Sequence, residues 1–154
     1  MEFALVVPVL ALLVFGMCEF GIGFNNLNSL RQGTREGARQ AVVANFGGDS
    51  TCTITGAPSN SELRELICLT KERVQLNNGD EIRVLLEFEG DYEPGNSLRL
   101  CTMYPLSSIT GMFAPVLDGR VLTTEVEMRV EQIDEDLVAG GETALSGHTW
   151  AFCG

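Results

Sequence analysis

The chain has 154 residues, 45% hydrophobic and 20% charged, with 10 Lys+Arg against 21 Asp+Glu and a formal charge of −11. That length suits one compact domain with an appendage, and the composition excludes a disordered or low-complexity chain. The acidic balance excludes a nucleic-acid binder held by phosphate contacts, and a single histidine excludes a multi-histidine metal site.

Phe3 to Cys18 carries no charge, and after Glu19 the apolar run resumes with Phe20, Ile22 and Phe24. A bilayer core of about 30 Å takes about 20 apolar helical residues, which Phe3–Phe24 supplies. A cleaved secretory signal has a basic start and a shorter apolar core. Here an acidic residue follows Met1, so the run reads as a retained membrane helix, bent at Pro8. Glu2 and Glu19 lie near its two ends, where a carboxylate can reach water. Past Asn25, Asn26 and Asn28, the residues Leu27, Leu30, Ala38, Ala41 and Val42 recur at helical spacing. Arg31, Arg35 and Arg39 step by four along one face. They suit phosphate or lipid headgroups, although a solvated helix face accounts for Arg35 and Arg39. Gly47-Gly48 supplies a stop signal. The expectation is one helix from Phe3 to Phe46, with 1–24 in the membrane and 25–46 as a stalk.

Residues 47–154 then form an extracytoplasmic head. Ser50–Thr55 reads as a strand or a loop. Pro58, Ser59 and Glu62 start a helix, Ser59 and Glu62 at capping-box spacing, with Leu63, Leu66 and Ile67 as its buried stripe. Arg73–Leu76, Asn78-Gly79 and Ile82–Phe88 predict a hairpin, because Asn-Gly tolerates the positive φ angles of a tight turn. Ile82, Val84, Leu86 and Phe88 share one face of the second strand. Leu98–Tyr104 reads as a further strand, and Pro105–Leu117 as a loop with a short amphipathic helix. Val121–Gln132 alternates Val126, Met128 and Val130 against Glu125, Glu127, Arg129 and Glu131, the signature of a half-buried antiparallel strand. Asp134-Glu135-Asp136 makes an acidic loop, and His148–Phe152 a last strand. The fold class is α+β: a long N-terminal helix, then a small antiparallel sheet of four or five strands with one or two helices.

Catalytic chemistry finds little support. The chain has no phosphate-cradling glycine loop and no HExxH, and His148 has no nucleophile at recognisable spacing. Asp134-Glu135-Asp136 lacks the spaced ligands and glycine of a calcium loop. No enzyme activity, metal or cofactor is expected. Cys18 lies in the apolar helix as a small hydrophobe. Cys52, Cys68, Cys101 and Cys153 lie in the head without a CxxC motif, so they read as two disulfides in an oxidising space. Of the three pairings that four cysteines allow, Cys52–Cys68 and Cys101–Cys153 are expected. Cys52 and Cys68 flank the first head helix, and the strand bearing Cys153 can join the sheet that holds Cys101.

The run Glu2-Phe3-Ala4-Leu5-Val6-Val7-Pro8-Val9-Leu10, with Phe15-Gly16 and Glu19-Phe20-Gly21, resembles the opening of TadE-like pilus proteins. Arg35-Glu36-Gly37-Ala38-Arg39, Tyr104-Pro105-Leu106 and the strand Thr123–Glu131, with Met128-Arg129-Val130-Glu131, are similar to that family as well. The resemblance implies a minor pilin or pseudopilin of the tight-adherence (Flp-type) pilus, a relative of type IV pili. It implies as partners other pilins, pilus assembly proteins, membrane lipid and, for a chain with a leader, a prepilin peptidase. Glu2 matches the glutamate near the start of the mature helix, which with Phe3 and Glu19 is expected to act in subunit assembly. Met1 stands where the family often has valine, and the reading frame is expected to extend upstream into a basic leader ending in glycine. The implied location is the bacterial inner membrane, single-pass, within or at the tip of a surface pilus. A membrane-anchored extracytoplasmic binding or adhesion domain outside any filament is the alternative.

Overall fold

The computed structural model describes residues 2–46, 51–56, 58, 60–74, 76, 79–132 and 137–154. Met1, Gly47-Gly48, Ser59, Asn78 and Asp134-Glu135-Asp136 lie outside them, as do the side chains of Glu2, Ala4 and Leu5. The first element, α1 (Glu2–Val42), is one helix of 41 residues, about 61 Å long. It ends four residues before the expected Phe46. Ala44 adopts φ 49°. Asn45 N donates to Gln40 O at 3.1 Å and Ala44 N to Ala41 O at 3.4 Å. That is a Schellman stop, with alanine in the left-handed position that glycine usually takes. The end is also covered from outside, because Glu131 N and Gln132 N both donate to Val42 O at 3.1 Å.

The helix α2 (Ser61–Arg73) follows. Its N-cap is Asn60, not Ser59: the Asn60 side chain accepts from Leu63 N at 3.0 Å. Asparagine is as good a cap as serine, so spacing to Glu62 alone could not choose between them. Leu63, Leu66 and Ile67 are buried as expected. The hairpin expected across Asn78-Gly79 does not form. Arg73 belongs to α2, Gly79–Glu81 is a single 3-10 turn, and β1 is Arg83–Phe88. The real first hairpin joins β1 to β2 (Ser97–Pro105) through the loop around Pro94-Gly95, where Gly95 takes φ 103°.

A single turn, α3 (Ala114–Leu117), precedes β3 (Val121–Arg129), and β4 is only Gly140–Gly141. The antiparallel sheet runs β3-β2-β1-β4. Register places Leu86, Leu100 and Val126 in one row and Phe88, Leu98 and Met128 in the next. This face packs on α1 and α2. Gly33 and Gly37 let the helices close: a Cβ on Gly33 would lie 2.8 Å from Val74 N and 2.9 Å from Val74 Cα. Thr34 Oγ1 meets Thr102 Oγ1 at 2.8 Å between helix and sheet. The segment read as a stalk is thus core: Leu30, Thr34, Ala38, Ala41 and Val42 are buried, while Arg31, Arg35 and Arg39 face outward.

The strand expected at His148–Phe152 is absent. The C-terminal tail instead crosses the other face of β2. Cys153 is bonded to Cys101, Leu145 N donates to Met103 Sδ at 3.4 Å, and Trp150 packs on Phe152. A tail held to the middle of a strand cannot also pair along a sheet edge. The second disulfide ties Cys52 to Cys68 on α2.

Candidate functional site

The segment expected to lie in the membrane is the first part of α1, up to Phe24. Phe3, Val9, Leu10, Met17, Phe20 and Phe24 are all at least 59% exposed. One apolar helix near the N-terminus is therefore long enough to cross a membrane, and its apolar surface is open. Phe3 projects from the first turn, whereas nothing is described of the Glu2 side chain.

Glu19 departs from expectation. It does not reach water but is only 4% exposed. The segment after β2 folds down onto it. Glu19 Oε1 accepts from Thr110 Oγ1 at 2.6 Å, from Thr110 N at 2.8 Å and from Ser108 Oγ at 2.8 Å. Glu19 Oε2 accepts from Ile109 N at 3.2 Å. Four donors to one carboxylate stabilise its charge away from solvent. Below the carboxylate Phe113 lies against Gly16, where a Cβ would be 3.2 Å from its ring, and 6.1 Å from the Phe20 ring centre. Glycine at position 16 gives the ring its seat.

Above this latch a groove of about 720 Å³ opens between α1 and the sheet. Phe20, Leu27, Leu106, Leu117 and Leu122 line it, with Glu19, Asn26, Tyr104 and Ser107 as its polar residues. Burial pushes the Tyr104 phenol above its ordinary range, and the Glu81 carboxylate adds to that effect. A buried neutral phenol and a fully hydrogen-bonded carboxylate in a mostly apolar lining suit a binding or packing surface.

A second buried polar cluster lies in the head. Glu142 Oε1 accepts from Lys71 Nζ and from Thr55 N, both at 2.8 Å, and Oε2 accepts from Val84 N at 3.1 Å. Lys71 Nζ also donates to Thr53 O at 2.7 Å. The two side chains are 4% and 0% exposed. The pair staples α2, the Cys52 loop and β1 together. Sequence reasoning missed it, because Glu142 sits in a Gly-Gly-Glu-Thr stretch with no periodic pattern. His148 lies apart, with Nε2 3.2 Å from Gly119 O. Among the described residues no cluster of His, Cys, Asp or Glu is placed to hold a metal ion.

Residues 1–39 match the family model of TadE-like proteins. No curated protein and no solved structure matches the chain. The match points to a protein associated with the tight-adherence pilus. Together with one apolar N-terminal helix, it fits a single-pass membrane protein.

Proposed function

We propose that this chain is a non-enzymatic minor pilin or pseudopilin, a subunit that takes part in assembling or priming a tight-adherence, type IV-like pilus. One observation carries the reading: the TadE-like match over residues 1–39 takes in the whole of the stretch from Phe3 to Phe24, where the apolar surface of α1 is left open. In the bilayer that surface faces lipid. In a filament the apolar helices of neighbouring subunits replace the lipid at little cost, because both are hydrocarbon. Glu2 is then the carboxylate that neutralises a neighbour's N-terminal ammonium in a low-dielectric bundle, with Phe3 packing beside it. Glu19 is occupied by its own chain, so it serves assembly by fixing the head on the helix. The head lies outside the cytoplasmic membrane, in a space oxidising enough to hold two disulfides.

Sheared filaments and affinity capture test this. The chain is expected in the sheared fraction and in complexes with other pilus proteins. Glu2→Gln is expected to stay in the membrane while its incorporation falls, because the partner ammonium loses its counter-charge. A chain that is absent from filaments, captures no pilus protein and leaves pilus output unchanged on deletion is instead an anchored binding domain.

A further inference from the structure

The segment that latches onto Glu19 has properties that the latch does not require. From Leu106 to Leu117 it contains no charged residue, in a chain of formal charge −11. Its tip is apolar and open: Ile109 is 66% exposed, Met112 52% and Val116 56%. Charge resumes at once on the far side, with Asp118 and Arg120 both exposed.

Its depth follows from α1. Phe3 to Phe24 rises about 31 Å, the thickness of a bilayer core. Glu19 lies about 7 Å below Phe24, and Gly16, which seats Phe113, about 12 Å below it. A segment bonded to Glu19 and packed on Gly16 is carried to the same depth. Counted from the edge of that core at Phe24, the segment lies within the hydrocarbon of one leaflet, at and somewhat below the ~5–10 Å that interfacial amphipathic elements reach.

Irregular backbone survives at such depth only with its polar groups satisfied. Here they are largely satisfied from within. Leu106 N donates to Arg120 O at 2.8 Å, Ser108 N to Asp118 Oδ1 at 3.1 Å, and Ile109 N and Thr110 N to Glu19. Gly111 N donates to Ser108 Oγ at 3.0 Å and Met112 N to Thr110 Oγ1 at 3.4 Å, and Pro115 has no N–H to satisfy.

We propose that Leu106–Leu117 is a second membrane anchor, whose tip of Ile109, Met112 and Val116 enters the lipid of the leaflet from which the head emerges. The occupant is lipid because the exposed tip is continuous with the lipid-facing side of α1. The proposal rests on α1 spanning the membrane. Glu19 is then the positioning residue that holds the second anchor at depth.

The test uses the full chain in phosphatidylcholine vesicles, with lipids brominated near the top or near the middle of the acyl chain. Ile109→Trp and Leu10→Trp are separate probes, and the Trp150 signal of the parent chain is subtracted. The Ile109→Trp probe is expected to emit at shorter wavelength and to lose more emission to upper-chain than to mid-chain bromine. The Leu10→Trp probe is expected to be quenched as well, which reports the span itself. Adding Glu19→Ala should lower the quenching at position 109 and leave that at position 10 unchanged. A quenched Leu10→Trp beside an unquenched Ile109→Trp overturns the second anchor and leaves the span standing. If the unquenched probe emits at short wavelength, a second protein chain covers the tip. If neither probe is quenched, the span fails and the anchor falls with it.

Discussion

Replacing Lys71 by methionine keeps the length of the side chain and removes its charge. Glu142 then stays at 0% exposure without its cation. Breaking one side of a buried pair costs about 3–5 kcal/mol. Two features place the expected value near the lower end. Thr55 N and Val84 N still donate to the carboxylate, and Arg83 NH1 stands 3.9 Å away with 16% of its side chain exposed. Against this, Thr53 O loses its donor. The expected loss is therefore about 3 kcal/mol, a large share of the ~5–15 kcal/mol that a domain has. Urea titration of the full chain in detergent measures it. Trp150 is a convenient reporter, since its Nε1 donates to Glu142 O at 3.2 Å. With a slope of about 1–3 kcal/mol/M, the midpoint should fall by about 1–3 M. Glu142→Leu alone should cost a similar amount, because it leaves an ammonium buried. The double variant should be less destabilised than the sum of the two by about 1–3 kcal/mol. A loss under about 1 kcal/mol for Lys71→Met, with no coupling in the cycle, would mean a solvated pair and would refute the reasoning.

Other outcomes follow from the same geometry. In the chain-entropy account, the bridge of separation 52, Cys101–Cys153, contributes about 4 kcal/mol and that of separation 16, Cys52–Cys68, about 3 kcal/mol. Cys153→Ser should therefore lower the melting temperature more than Cys52→Ser and shift Trp150 emission to longer wavelength; the reverse order would count against it. Gly33→Ala is expected to destabilise by more than about 2 kcal/mol, since the new methyl meets the Val74 side chain at Cγ2 and, behind it, the Val74 backbone, which cannot swing aside, and a neutral result in thermal melts would contradict the close crossing. Ala44→Gly should stabilise by about 0.5–1 kcal/mol by relieving φ 49°, and an unchanged or lower denaturation midpoint would show that the alanine is unstrained there.

Periodicity was legible wherever one face of an element is buried. Val126 and Met128 against Glu125 and Glu127 located β3, and Leu63, Leu66 and Ile67 located α2, because both patterns follow directly from burial on one side. Turn chemistry misled. Asn78-Gly79 is a strong hairpin signal in isolation, but Arg73 was already held in α2 and Val74 N donates back to Thr70 O at 3.1 Å. Gly140–Gly141 pairs with Leu85 and Leu86 although glycine is a poor strand former; it fits because a Cβ on Gly141 would lie 2.6 Å from Leu85 Cα. The largest gap concerns Glu19. Its spacing places it on an apolar helix, but its four donors come from a segment about 90 residues away, and no local pattern encodes that contact.

α1 is also a mechanical element. Its upper half is core of the head, so no flexible linker separates head from membrane segment. The joint of such a rod lies between the apolar span and the buried half, and there helix propensity is lowered by Gly21 and Gly23. Each costs about 1 kcal/mol against alanine. The latch at Glu19 and the Phe113 contact at Gly16 reach past both glycines from the head side and splint that turn. A pull on the N-terminal end is thereby transmitted to the sheet along two routes, the helix and the strap beside it. Without the strap, the same two glycines would act as a hinge.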